Sequence, residues 1–287
     1  MKIKEIIITI IILTIFTASC VRNQPAKPGA DEKYNNIFEA INHKDVEAVK
    51  AFIEKKPALI NSMELEDDSV PLHNAALVNS EEMAEYLISK GADVNVKDKH
   101  GDTPLHSAAL KGSKSVAKLL ISKGAKVNMQ DHMGKTPLHW AGAEGHAAVA
   151  EILVSNDANV NITDKGGETP LHSASVQGHT EVVKLLVKNN AKIDIKDAQK
   201  KTPLNAAAEY GHKEIISILI SKGVDVNTQD VEGFTPLHWA VEEGHEDIVK
   251  ILISNGAKVD IKNREGDTPI DTAKKRGKKS ILKILKK

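Results

Sequence analysis

The sequence predicts an all-α solenoid, in which short helix pairs stack along one axis. Three observations predict it: a tetrapeptide repeats at a fixed step, a glycine follows six of its seven copies at the same distance, and apolar residues recur at helical spacing. Full copies of Thr-Pro-Leu-His begin at Thr103, Thr136, Thr169 and Thr235. Altered copies that keep the step of 33 residues begin at Val70, Thr202 and Thr268. A period of this length indicates stacked repeats, because one unit cannot bury its apolar face alone.

Each tetrapeptide has the chemistry of a helix start. Thr103 suits the N-cap position, where its hydroxyl can accept from a free backbone N–H. Pro104 suits the first helical position, because the missing N–H has no partner there in any case. Leu105 and Ala108 follow at helical spacing, and Gly112 suits a left-handed cap. The pattern therefore predicts a short inner helix in every unit.

A second helix and a turn complete the unit. The second helix is predicted over roughly residues 113–122, with Val116, Leu119 and Leu120 as its core, and Gly124 closes it. The segment from Val127 to Gly134 then carries Asn, Asp and Gly at turn spacing, so we expect a projecting hairpin, called a finger below.

The repeated pattern resembles the ankyrin family over residues 34–287. This resemblance implies an ankyrin-repeat solenoid of helix-turn-helix units with projecting β-hairpin loops. It also implies that the motif histidine bonds to the motif threonine and to neighbouring backbone. The expected divisions are an N-terminal cap at 34–69, full repeats at 70–102, 103–135, 136–168, 169–201, 202–234 and 235–267, and a C-terminal cap at 268–287.

The N-terminus has the pattern of an export signal. Lys2 and Lys4 precede an apolar run over residues 6–16, which is too short to cross a membrane as a helix. Residues 17–20, Thr-Ala-Ser-Cys, resemble the lipobox of bacterial lipoproteins, which implies cleavage before Cys20 and lipid attachment to its thiol. The alternative is an ordinary signal peptide cut near Ala18 or Cys20. We expect a signal peptide at 1–19 and a lipidated Cys20 with a flexible tether over 20–33.

Composition and spacing argue against several chemistries. Acidic and basic residues balance at 39 each, so no net charge draws the chain to nucleic acid. The motif histidines are one unit apart, roughly 10 Å, which is too far for two of them to share one zinc ion. The sequence Gly134-Lys135-Thr136 lacks the first glycine of a phosphate-binding loop, because Met129 stands at that place. We therefore expect no enzyme, cofactor, metal or small-molecule substrate.

The C-terminal cap is strongly basic. Residues 268–287 contain eight basic side chains and one acid, Asp271. Contact with an anionic surface is one interpretation. A solubilising end for the stack is the other, and we favour it because the lysines surround a helix whose apolar side must be covered.

Recognition in the ankyrin family falls on the finger tips and the ends of the inner helices, which line the concave face. Aromatic or apolar side chains stand at a few of these positions, where most units have polar residues, and we predict partner contacts at them and at some polar members of the same two sets. The predicted contact residues are Trp140, Trp239, Tyr210, Phe234, Met133, Leu110, His100, Glu242 and Glu243. Trp and Tyr are frequent at binding hot spots. Each tryptophan could equally pack on a neighbouring inner helix as part of the scaffold.

Three functional hypotheses remain at this point. The first is an exported, lipid-anchored, monomeric scaffold of a bacterial cell envelope that binds another protein. The second is a structural or protective envelope protein that uses the solenoid as a spacer without a tight partner. The third is a secreted effector that acts on host proteins.

Overall fold

The computed structural model describes residues 33–286, which contain sixteen α-helices and no β-strand. A single turn of 3₁₀ helix, Pro57–Asn61, follows the second α-helix. In chain order the α-helices are α1 (Ile37–Asn42), α2 (Val46–Lys55), α3 (Pro71–Leu77), α4 (Glu81–Ser89), α5 (Pro104–Lys111), α6 (Lys114–Ser122), α7 (Pro137–Ala143), α8 (Ala147–Val154), α9 (Pro170–Gln177), α10 (Thr180–Lys188), α11 (Pro203–Tyr210), α12 (Lys213–Ser221), α13 (Pro236–Glu243), α14 (Glu246–Ser254), α15 (Pro269–Lys275) and α16 (Lys279–Leu285).

The helices form two parallel rows. The inner helices, odd-numbered from α1 to α15, pack on one another, and the outer helices do the same behind them. The motif leucine of every full repeat is buried between the rows, as are the alanines that follow it. In the outer row the core differs in part from the expectation. Val116 and Leu120 are buried, but Leu119 is only half-buried and Ala117 takes its place in the core.

In five of the six full repeats, a histidine joins the unit to the next. The backbone N–H of Thr103 donates to Nδ1 of His106 over 3.0 Å. Because Nδ1 is the acceptor, the proton of the neutral ring lies on Nε2, which donates to the carbonyl oxygen of Lys135 over 3.1 Å. Burial lowers the pKa of His106 to about 4, so the ring is neutral at neutral pH. The implied histidine contact is confirmed, and four others repeat it: His73, His139, His172 and His238.

The altered motif at Asn205 keeps this joint. Its Oδ1 accepts from the backbone N–H of Thr202 over 3.1 Å, as Nδ1 does in the histidine units. Its Nδ2 donates to the carbonyl oxygen of Phe234 over 3.5 Å and to that of Thr228 over 3.3 Å. An asparagine therefore reproduces both halves of the neutral histidine, with a longer second bond because the side chain is shorter.

A second set of cross-unit bonds begins where each inner helix ends. The residue after the helix-ending glycine reaches back to the preceding inner helix; for example, Nε2 of His179 donates to the carbonyl oxygen of Ala143 over 3.0 Å. Gly145 lies directly against this ring. A Cβ there would stand 2.4 Å from Nδ1 of His179, and the backbone φ of Gly145 is +74°, so the position requires glycine on both counts.

A third set of bonds joins the loops behind the fingers, and it has a gap. Asn161 donates its Nδ2 to the carbonyl oxygen of Asn190 over 3.4 Å and accepts from the backbone N–H of Lys192 over 2.8 Å. The equivalent residues Asn95, Asn128 and Asn227 make the same pair of bonds. Asp194 stands at this position between the repeats at 169–201 and 202–234, and a carboxylate cannot donate to the facing carbonyl.

The fingers are tight turns rather than strand ladders. In the finger at 98–102, the backbone N–H of Asp98 donates to the carbonyl oxygen of Asp102 over 3.0 Å, and Oδ1 of Asp98 accepts from the N–H groups of His100 and Asp102. One backbone bond links it to the next finger, from His132 to His100 over 2.8 Å. The expected hairpins are therefore present as turns, but one bond per junction is too few for a β-ladder in the described residues.

Candidate binding face

The most exposed large apolar side chains lie on fingers and on the end of an inner helix. Within residues 33–286, the large hydrophobic residues that are most exposed are Met63, Leu65, Met133 and Tyr210. Met133 is at a finger tip, Tyr210 ends the inner helix α11, and the other two lie in the loop over residues 62–69, called the first finger below. None of the four is on an outer helix. We call the finger tips and inner-helix ends together the binding face.

An aromatic cluster occupies the binding face at the fifth and sixth full repeats. The rings of Phe234 and Trp239 are 4.9 Å apart between centroids, and Phe234 also packs on His238. The ammonium of Lys201 lies 3.9 Å from the centroid of Trp239, at cation–π distance. The same ammonium pairs with Glu209 over 2.6 Å, and both of these side chains are 21% exposed. The cluster is therefore fixed by tilted ring contacts and by a partly buried ion pair.

Both tryptophans have a scaffold contact. Nε1 of Trp140 donates to Oδ2 of Asp131 over 3.2 Å, and Nε1 of Trp239 donates to Oδ2 of Asp230 over 2.9 Å. In each case the acceptor is the carboxylate that closes the preceding finger. Each tryptophan thus holds a finger against an inner helix, yet both side chains remain half-buried and keep accessible surface. Their contact with a partner remains a prediction.

The other predicted contact residues differ in exposure. His100 is exposed at a finger tip, and Met133 is 63% exposed at the next. Tyr210 is 50% exposed, whereas Leu110 is half-buried at the end of α5, where its carbonyl oxygen accepts from His146. Phe234 is half-buried because it packs in the aromatic cluster.

The two acids at the end of α13 are used by the C-terminal cap. Glu242 pairs with the guanidinium of Arg276 and is 17% exposed at its side chain. The carbonyl oxygen of Glu243 accepts from the ammonium of Lys278 over 3.3 Å, while its carboxylate faces solvent. Arg276 and Lys278 thus tie the cap to the last full repeat, which favours the structural interpretation of the basic end. Glu243 offers a partner more free carboxylate than Glu242 does.

A family model for ankyrin repeats, in three copies, matches residues 37–131, 123–197 and 192–263. These ranges cover most of the chain and follow the helix pairs described above. The chain belongs to the ankyrin-repeat family. Ankyrin repeats generally mediate binding between proteins. A search of curated proteins finds no match to the chain.

Two further observations concern other kinds of site in the ankyrin stack. Among residues 33–286, no group of three or more His, Cys, Asp or Glu side chains is placed to hold a metal ion. Over the same part of the chain, no helix is both long and apolar enough to cross a bilayer. The predicted signal peptide and Cys20 lie outside the described residues.

The sequence interpretation missed the first finger of the ankyrin stack. Leu65 is 77% exposed and Met63 is 61% exposed, which makes them two of the most accessible apolar side chains described. A signal for Leu65 was present, because the 33-residue step counted back from Asp98 leads to it. Every later finger has Asp or Asn at that position, so a leucine there is a departure from the repeat.

Proposed function

We propose that this ankyrin-repeat protein is a non-enzymatic scaffold that binds a protein partner through its binding face. The observation that carries the proposal is the placement of the exposed apolar side chains. The largest exposed ones in the described residues lie on fingers and on an inner-helix end, where a partner can cover several of them at once. The aromatic cluster of Phe234 and Trp239 adds the residue types that dominate binding energy at protein interfaces.

The binding face is held rigidly, which favours recognition with little conformational change. Three sets of cross-unit hydrogen bonds, made by motif histidines, by the residue after each inner helix and by loop asparagines, fix the fingers relative to one another. A pre-organised surface loses little conformational entropy on binding, so more of the contact energy contributes to affinity. We propose that one such molecule acts as a monomer, without a cofactor.

We further propose that the chain is exported and anchored by lipid to a bacterial membrane through Cys20. The charged start, the short apolar run and the four residues that end at Cys20 support this proposal. Two attached acyl chains would hold the protein stably, whereas one would not. Labelling cells with a fatty-acid analogue is the test. Cys20→Ala should abolish the label, and an unlabelled parent chain would favour the secreted-effector alternative.

Partner capture from envelope fractions tests the binding function. Tyr210→Ala combined with Phe234→Ala should weaken capture at least tenfold, because both remove aromatic contact area from the binding face. The loss of Phe234 also removes a ring contact within the fold, so stability must be matched. Leu185→Ala with Ile218→Ala is the matched control, since both residues are half-buried on outer helices.

Equal loss in the two double variants would mean that capture depends on stability alone, and the assignment of the binding face would be wrong. A solenoid that only spaces two surfaces predicts a different result. It would capture no specific protein in the parent form, and neither double variant would change that outcome.

A further inference from the structure

The first finger is built differently from all the others. In the later fingers an Asp or Asn accepts two backbone N–H groups through Oδ1 and so closes the turn. These closing residues are Asp98, Asp131, Asp164, Asp197, Asp230 and Asn263. Leu65 stands at the equivalent position, and its side chain can accept no hydrogen bond. The leucine therefore replaces a stabilising interaction that every later unit keeps.

The first finger is nevertheless an ordered loop, closed by other residues. The backbone N–H of Glu64 donates to the carbonyl oxygen of Ser69 over 2.8 Å, and that of Asp68 donates to the carbonyl oxygen of Glu64 over 3.1 Å. Beneath the loop, the Glu64 carboxylate accepts from Nδ2 of Asn74 over 2.7 Å. The backbone N–H of Lys99, in the next finger, donates to the carbonyl oxygen of Asp67 over 3.0 Å. None of these bonds involves the side chain of Leu65.

Leu65 and Met63 contribute almost nothing to the core. Leu65 is 77% exposed and Met63 is 61% exposed, so most of their apolar surface faces water. A leucine or methionine side chain stabilises a structure only when it is buried. Since this loop has a definite conformation without them, their exposed surface is available to a partner.

The charges around these two side chains indicate which kind of partner surface would bind them. Glu64, Glu66, Asp67 and Asp68 lie in the same loop, and none of them forms an ion pair within residues 33–286. The first finger thus combines two exposed apolar side chains with four acids that no ion pair neutralises in the described part of the chain, which is complementary to a segment that carries both cationic and apolar side chains.

We propose that the first finger docks a basic amphipathic segment of a partner protein, with Leu65 and Met63 covered by its apolar side chains and the loop acids paired with its lysine or arginine side chains. This inference rests on the proposed protein-binding function and gives it a partner chemistry at the N-terminal end of the stack. The aromatic cluster, about five repeats away along the chain, is a separate contact region.

Fluorescence anisotropy with a labelled helical peptide tests the docking site on the full chain. The probe has lysine and leucine on one helical face, and a second probe has serine in place of each leucine. The parent protein should bind the first probe and bind the second at least tenfold more weakly. Leu65→Asn should weaken binding of the first probe about tenfold or more. This variant should fold, because Asn263 closes a finger at the same position.

Charge variants complete the test. Glu66→Gln with Asp68→Asn should weaken binding and reduce its salt dependence, since both acids are exposed in the first finger. Glu81→Gln with Glu85→Gln is the matched control on the outer helix α4, where both acids are also exposed. Equal weakening by the control pair, or unchanged binding by Leu65→Asn, would overturn the docking site.

The proposed protein-binding function can fail separately. If this peptide does not bind, but Tyr210→Ala with Phe234→Ala still reduces partner capture, the docking site is wrong and the scaffold function stands. If the peptide binds and partner capture is unaffected by every binding-face variant, the scaffold function is wrong. Divalent cation that competes with the peptide at micromolar concentration would instead assign the loop acids to a cation and overturn the proposal.

Discussion

We predict that the motif histidines make the stability of the stack depend on pH, and replacing two of them tests this prediction. Burial lowers the pKa of His106 and of His139 to about 4, from an ordinary value of 6.5. A protonated ring would carry a hydrogen on Nδ1, which faces the backbone N–H of the motif threonine. The folded state therefore binds fewer protons than the unfolded state between pH 4 and 6.5. The contribution of each histidine to stability is complete above pH 6.5 and is lost as the pH falls towards 4.

The size of the effect follows from the two pKa values. One pKa unit corresponds to about 1.4 kcal/mol, so each of these histidines loses about 2 kcal/mol of stabilisation between pH 7 and pH 4.5. His106→Asn with His139→Asn removes this titration, because Asn205 shows that asparagine can make both bonds without a titratable group. At pH 7 the variant should be less stable than the parent by about 1 kcal/mol per site, since the second bond is longer.

Urea unfolding followed by circular dichroism, at several pH values from 7 to 4.5, measures this difference. The parent should lose about 4 kcal/mol more than the double variant over this range, so the two stabilities should approach or cross in acid. His132→Asn, at an exposed finger position, is the control for the loss of a histidine. Parallel pH profiles of the parent and the double variant would refute the proposed role of the neutral ring.

Three further substitutions test individual joints of the stack. Asp194→Asn should restore the missing pair of bonds among the loop asparagines and stabilise the chain by about 0.5–1.5 kcal/mol. Amide hydrogen exchange in the repeats on either side should become slower, and unchanged exchange would contradict this prediction. Lys200→Gly should raise the melting temperature, because Lys200 has a φ of +57° where the five other fingers that an Asp or Asn closes have glycine. This conformation costs a non-glycine residue on the order of 1 kcal/mol. Asp102→Asn should stabilise the chain most above pH 7 and progressively less towards pH 4. The reason is that burial and nearby Asp98 raise the pKa of Asp102 to about 7, so the charged carboxylate destabilises the fold only where it is ionised. An equal gain in the free energy of unfolding at pH 8 and pH 5 would contradict this cause.

Local chemistry made most of the fold predictable. Thr103, Pro104 and Gly112 each act within one helical turn, so their positions alone place a helix start and a helix end. The step of 33 residues then repeats this information in every unit. The sequence could not show that the amide of Asn205 reproduces both bonds of the motif histidine. That result depends on distances across two units.

The binding face was less predictable because its properties depend on side-chain neighbours. The family pattern places Glu242 at the end of an inner helix, but only the structure shows that Arg276, from the next unit, engages it. The tryptophans are similar: the bond from Trp239 to Asp230 joins an inner helix to the finger before it. The exposure of Leu65 was not predictable from the repeat pattern, because the N-terminal cap departs from that pattern.

Site-specific photocrosslinking tests most directly whether a partner protein binds the face formed by the fingers and inner-helix ends. A photoreactive amino acid is placed one site at a time at Met133, at Tyr210 and, as the control, at Lys118, which is exposed on the outer helix α6. We expect the same protein to be crosslinked from Met133 and Tyr210 and not from Lys118. Crosslinks from Lys118 alone, or equally from all three positions, would contradict binding at this face.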